Sequence, residues 1–189
     1  MLELKKLERF SDELTSLKET SYDGVHDAYL TNLDVLVYNF DKIKEKYLKK
    51  IKDCQSLSTI VSFRSNDALY NKNEKLIFIE FKNGCITSIK EKAEIRVKIS
   101  ESLLILTDIL DAKLKELRNV CCYILVYNKN KNVAFEKQRN NTSINQISTT
   151  LSHLAGTNFL IEGFDRYRVF FHKVYTINED ELEDVLASL

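Results

Sequence analysis

Between Asp67 and Gly84 the chain reads DALYNKNEKLIFIEFKNG, and three of its residues, Asp67, Glu80 and Lys82, have the chemistry of a hydrolytic centre. The apolar run that starts at Leu76 has strand character, and successive side chains of a strand take opposite faces. Glu80 and Lys82 therefore point one way while Ile77, Ile79 and Phe81 point the other. Upstream, the NKNE segment of residues 71–74 has turn character. If Ala68–Tyr70 forms the other arm of a hairpin, Asp67 arrives beside Glu80. Two acids and one amine gathered in this way can hold a hard divalent cation and activate water against a phosphodiester.

This pattern resembles the PD-(D/E)XK nuclease superfamily, the restriction-endonuclease-like phosphodiesterases. Their motif places an Asp, usually after Pro, shortly before an apolar strand that ends in an acid, any residue and Lys. Asp67, Glu80 and Lys82 match it in identity, Asn66 stands where the Pro would be, and the order of elements extends the resemblance over residues 29–128. The resemblance implies a central mixed β-sheet flanked by helices with a restriction-endonuclease-like core. It implies Mg²⁺ (or Mn²⁺) held by Asp67, Glu80 and a backbone carbonyl near Phe81, with Lys82 positioning the attacking water or stabilising developing negative charge. It implies nucleic acid as substrate, DNA in preference to RNA, and it leaves room for a homodimer that cuts two strands. Many members add an acid from the helix before the sheet; Asp34, Asp41 and Glu45 are the candidates, and nothing in the sequence chooses among them.

Each feature has a plainer alternative. Glu80 and Lys82 can be an exposed ion pair on a half-buried strand, worth about 0–1 kcal/mol. Lys98 and Ser102, four residues apart on one helical face, could be aimed at a phosphate, as could Arg96, or they could be the polar margin of their helix. The whole fold could serve as a catalytically inactive binding or assembly module. Residues 1–51 could also contact a partner while the sheet supports them.

The wider composition narrows the classes. Lys plus Arg and Asp plus Glu number 28 each, so a general attraction to polyanions is excluded and any nucleic-acid contact needs local asymmetry. The Lys-rich runs 42–52 and 129–137 are the two candidate basic faces, and the first reads more readily as the solvated face of a helix. A chain of 189 residues suits one domain. Within it, residues 1–28 read as an N-terminal helical extension, 29–128 as the nuclease-like core and 129–189 as a helix-strand-helix addition. No stretch reads as a signal peptide or a membrane span, so a cytoplasmic protein without membrane contact is expected. Cys54, Cys85, Cys121 and Cys122 lack C-X-X-C spacing and read as buried reduced thiols. His26, His153 and His172 match no metal-ligand or nucleophile-base spacing. The sequence has no Gly-rich phosphate loop and no G-X-S-X-G elbow.

Several elements must position the motif. Leu7, Phe10, Leu14 and Leu17 predict an amphipathic helix over the first twenty residues, and Leu30, Leu33, Val37, Phe40 and Tyr47 a second helix running to about Ile51. Ser58–Phe63 and Leu76–Lys82 read as strands. The segment from Ile86 to Glu94 reads as an irregular loop or a further strand. Ile95, Ile99, Leu103, Leu106, Leu110 and Leu114 predict a long helix directly after the motif strand. Val120–Tyr127, VCCYILVY, reads as a central strand covered on both faces. Ile144, Ile147, Leu151 and Leu154 predict a short helix, Arg166–Ile177 a long strand whose Tyr167, Phe171 and Tyr175 form a core face or stack bases, and EDELEDVLASL an acidic terminal helix.

Overall fold

The computed structural model describes residues 3–55, 62–140 and 160–189. A 3-10 helix at Leu4–Glu13 leads into strand β1 (Leu14–Ser16) and the single-turn helix α1 (Leu17–Thr20). A small hairpin follows, β2 (Tyr22–Asp23) with β3 (Ala28–Tyr29). Strand β4 (Leu36–Asn39) runs straight into helix α2 (Phe40–Gln55). The hairpin β5 (Ala68–Lys72) and β6 (Lys75–Lys82) precedes helix α3 (Ile89–Leu110), helix α4 (Leu114–Val120) and strand β7 (Cys121–Tyr127). Helix α5 (Val133–Asn140), strand β8 (Lys173–Asn178) and helix α6 (Leu182–Ser188) complete the described chain.

Among the described residues six strands form one sheet in the order β1-β4-β5-β6-β7-β8. The first four pair antiparallel, while β6, β7 and β8 are parallel, so a mixed sheet flanked by helices is the architecture. Strands β6 and β7 lie inside it, each between two neighbours, and their side chains divide cleanly between two cores. Leu76, Phe78, Tyr123 and Leu125 meet Phe40 and Ile43 of α2 and Ile95, Ile99 and Leu106 of α3. Ile77, Ile79, Phe81, Cys122, Ile124 and Val126 meet Leu182, Val185 and Leu186 of α6 and Leu17 of α1. With both faces covered the strands must be apolar throughout, which explains the unbroken VCCYILVY run. Each such side chain contributes about 1.5–3 kcal/mol on burial.

Several expected elements change form. The first twenty residues are not one helix, because Leu14–Ser16 pairs with β4 and Ser16 caps a new turn by accepting from Glu19 N. Leu7 and Phe10 consequently enter one core and Leu17 the other. The second helix begins only at Phe40, since residues 36–39 are held between β1 and β5 and the Asn39 side chain accepts from Lys42 N at 3.1 Å. The segment 86–94 is neither loop nor strand beyond Ser88: it opens α3, with Ser88 Oγ accepting from Glu91 N at 3.1 Å. The S-I-K-E spacing is that of a capping box. Arg166–Ile177 divides into a 3-10 turn at Asp165–Val169 and the shorter β8, with Tyr167, Phe171 and Tyr175 all buried in the core. Of the Ser58–Phe63 strand, residues 58–61 lie outside the described residues, and Ser62 and Phe63 belong to no regular element. The helix expected over Ile144–Leu154 lies wholly outside them, as does His153.

All four cysteines are free; Cys121 and Cys122 are buried as expected, whereas Cys54 and Cys85 are exposed. Among the described residues no helix is long and apolar enough to cross a membrane.

Candidate functional site

The β5–β6 hairpin places the motif. Its register sets Ala68 opposite Ile79, and Lys72 opposite Lys75 closes it through a two-residue turn in which Asn73 and Glu74 both have positive φ, 49° and 65°. That is the type I′ geometry whose twist matches a right-handed ladder. One step beyond Ala68, Asp67 Oδ2 accepts the Phe81 backbone N–H at 2.7 Å, which fixes the carboxylate at the strand's end. Glu80 emerges on the face covered by α3, on the same side as Phe78 and opposite Ile77, Ile79 and Phe81.

Helix α3 supplies the counter-charge. Lys98 Nζ donates to Glu80 Oε1 at 2.6 Å and to Asp67 Oδ1 at 3.2 Å, so a single ammonium bridges the two motif carboxylates. Two turns earlier on the same helix, Glu91 Oε2 lies 3.2 Å from Lys82 Nζ, which in turn lies 3.5 Å from Glu80 Oε1. Charges thus alternate along the strand-helix seam, Lys82 between Glu91 and Glu80, and Lys98 between Glu80 and Asp67. Glu80 is completely buried, and its second oxygen, Oε2, has no hydrogen-bond partner among the described residues. A buried carboxylate oxygen left without a donor is costly and is a ready ligand for a cation.

Burial is the largest influence on both acids and raises them. For Glu80, burial and then the adjacent Asp67 charge push the carboxyl up to about 8, with Lys98 and Lys82 countering only part. Asp67 is raised by burial against the pull of Lys98 and the Phe81 N–H. Burial works to lower the Lys98 ammonium, but the two carboxylates prevail and hold it above its ordinary value. The Tyr123 hydroxyl on neighbouring β7, buried without a partner among the described residues, is driven well up by burial and further by Glu80 and Asp67.

Two clefts reach this cluster. One, of about 390 Å³, opens beside the end of β6 and includes Asp67, Phe81, Lys82 and Glu91 in its lining. The other, of about 470 Å³, is lined by Asp41, Lys44, Arg64, Ser65 and Lys98 among others. The motif is therefore flanked by solvent-accessible space on both sides of the Asp67–Lys98 contact.

The structure gathers Asp67, Glu80, Lys82 and the Phe81 backbone, and it adds Lys98 at the centre. Of the three candidate acids, Asp41 in the first turn of α2 lies nearest the site: its charge acts on Asp67, and it is bonded to Ser65 and to Lys44 at 2.9 Å, whereas Asp34, which precedes β4 and lies in no helix, and Glu45 are exposed. Ser102 is fully buried, and its Oγ accepts the Asn66 backbone N–H at 2.8 Å, so it braces the motif loop from behind. Arg96 turns toward Gly163, where a Cβ would meet its Nη2 at 2.7 Å. The sequence signalled Lys98 only through its four-residue spacing from Ser102. Its place between the acids depends on how α3 docks, which no local pattern encodes. Among the described residues no three His, Cys, Asp or Glu side chains converge closely enough to hold a metal ion.

No protein-family model matches the sequence, and no curated protein or solved structure matches it.

Proposed function

We propose that this chain is a Mg²⁺-dependent phosphodiesterase of the PD-(D/E)XK type that hydrolyses nucleic acid, DNA in preference to RNA. The observation that carries the proposal is the bridging of Asp67 and Glu80 by one cation-sized group, the Lys98 ammonium, at the end of the motif strand. Two carboxylates at that separation, with Glu80 Oε2 unpartnered among the described residues, fit a small hard ion that takes one or two protein carboxylates and completes its shell with water and substrate phosphate. The order of elements adds support: helix α2, the antiparallel β5–β6 hairpin, helix α3, then β7 parallel to β6.

Asp67 and Glu80 would hold Mg²⁺, or Mn²⁺ in its place, together with a backbone carbonyl at Phe81. When bound, the ion supplies polarisation of the phosphate and a water of lowered pKa. Asp67 is kept in place by the Phe81 N–H and Glu80 by the ladder to β7. Lys98, displaced from the carboxylates, and Lys82, tethered to Glu91, carry the two ammoniums that can face a phosphate's developing charge.

A second reading, a catalytically silent fold used for binding or assembly, is favoured by one observation: Lys98 already neutralises the two acids within the chain. Cleavage and calorimetry separate them. Purified protein should cut DNA in Mg²⁺ or Mn²⁺, lose at least about 100-fold in rate in Asp67→Ala and Glu80→Ala, and bind the metal with heat that Asp67→Asn abolishes. Metal binding without cleavage of DNA or RNA, or cleavage that survives Glu80→Ala, overturns the nuclease reading.

A further inference from the structure

The β2–β3 hairpin, distant in sequence from the motif, lines the same cleft. Its Asp23 and His26 share that 390 Å³ space with Asp67, Phe81, Lys82 and Glu91. His26 Nδ1 lies 2.6 Å from Asp23 Oδ2, and Asp23 is itself fixed by two further donors, Val25 N on Oδ1 at 2.9 Å and Asn83 Nδ2 on Oδ2 at 2.8 Å. Asn83 is the residue directly after Lys82, is buried, and accepts from Asn128 Nδ2 at 2.8 Å through its Oδ1. A chain of side-chain hydrogen bonds therefore ties the hairpin to the carboxyl ends of the parallel strands β6 and β7. The crevice outside the carboxyl ends of parallel strands is where open α/β sheets take their ligands.

On the basis of the phosphodiesterase reading, we infer that His26 is the general acid that protonates the departing oxygen, with Asp23 as its positioning residue. A carboxylate on Nδ1 fixes the ring's orientation and leaves Nε2 as the nitrogen able to transfer a proton to substrate. The two walls of the cleft divide the reaction. The motif wall, with Asp67 and Lys82, meets the attacking side, and the hairpin wall meets the leaving side. Water oxygen forms the new bond to phosphorus and releases one proton to solvent. The bond from phosphorus to the leaving oxygen breaks, and His26 Nε2 gives that oxygen its proton, which the ring regains from solvent. A phosphodiester and water become a phosphomonoester and an alcohol, with no oxidant or further reactant.

The test compares two substrates in Mg²⁺: a DNA duplex, whose alkoxide leaving group needs a proton, and a nucleoside p-nitrophenyl phosphodiester, whose phenolate does not. In His26→Ala and His26→Gln the rate on DNA should fall by about 100-fold or more, and the ratio of p-nitrophenyl to DNA rates should rise by a similar factor. Asp23→Asn should move that ratio the same way by less. Melting temperatures should stay near wild type, because the His26 side chain is half exposed at a hairpin turn. If His26→Ala leaves the ratio unchanged, whether both rates hold or both fall, the dyad is structural and the inference is overturned. If wild-type protein cleaves neither substrate, the phosphodiesterase reading fails first and the dyad's role with it.

Discussion

Glu80 and Lys98 form an ion pair 2.6 Å long between the motif strand β6 and helix α3, and the glutamate of that pair has no exposed surface. Removing one partner of a buried pair strands the other's charge, which costs about 3–5 kcal/mol. Measured above pH 8, where the Glu80 carboxyl ionises, Lys98→Met should therefore destabilise the fold by that amount in chemical denaturation, and far more than Lys82→Met, whose ammonium lies 3.5 Å from Glu80 Oε1 instead of 2.6 Å. Glu80→Gln combined with Lys98→Met should cost less than the sum of the two single changes, because the double variant leaves only Asp67 uncompensated. Mg²⁺ should raise the melting temperature of Lys98→Met more than that of wild type, since the ammonium no longer competes for the carboxylates. Additive losses, or no difference in the metal response, would remove Lys98 from the site.

The same burial sets a pH dependence. The Glu80 carboxyl is lifted from an ordinary value of 4.5 to about 8, so between those limits the folded chain binds a proton that the unfolded chain has released. Stability falls with rising pH wherever the native state holds more protons, and the Glu80 contribution is therefore greatest below pH 4.5 and lost by pH 8. Lys98 stays charged in both states across this window, and its effect is felt only as pH rises past its ordinary ammonium range. Unfolding free energies of wild type measured from pH 5 to 8 should slope downward relative to Glu80→Gln. Parallel curves would mean that Glu80 is ionised throughout.

The motif strand and its alternation were fully legible in the sequence, because Leu76–Phe81 carries an apolar run interrupted on one face only, and side-chain period fixes the rest. The hairpin that brings Asp67 beside Glu80 was legible only as a turn-like NKNE segment before the strand; the two-residue turn at Asn73 and Glu74, which fixes the register, was not. Helix α3 was legible from Ile95 to Leu110, but not its end, since Leu114 of the same stripe opens α4, nor its start from Ile89 to Glu94, where the polar first turns of an emerging helix carry no stripe and only the Ser88–Glu91 spacing marks them. What escaped was tertiary. The break at Leu36–Asn39 arises because the sheet takes those residues as a strand although their spacing is helical, and the docking of Lys98, Asp41 and the β2–β3 hairpin around the motif depends on contacts between residues tens of positions apart.

Ser102 separates a bracing role from a substrate role. Its Oγ is buried, and the Asn66 N–H bonds to it; a proline at position 66, where the superfamily motif usually has one, would have no N–H to give. Ser102→Ala should cost about 1–3 kcal/mol by leaving that N–H unsatisfied inside the protein. In a cleavage assay run well below the melting temperature the KM should change less than twofold. A raised KM with unchanged stability would instead give Ser102 a direct contact with the substrate.

The turn that sets the motif's register carries a removable strain. Asn73 tolerates the left-handed region, but Glu74 at φ 65° has a Cβ and no special hydrogen bond to justify it, and an L-residue there costs roughly 1–2 kcal/mol. Asn-Gly is the favoured pair for a type I′ turn. Glu74→Gly should therefore raise the unfolding free energy by up to about 1 kcal/mol, the gain being trimmed by the extra freedom of glycine in the unfolded chain. Because Asn73 and Glu74 lie at the far end of the hairpin from Asp67 and Glu80, metal affinity should not change. A loss of stability in Glu74→Gly would show that the turn is not of this type, and the register that brings Asp67 to Glu80 would have to be redrawn.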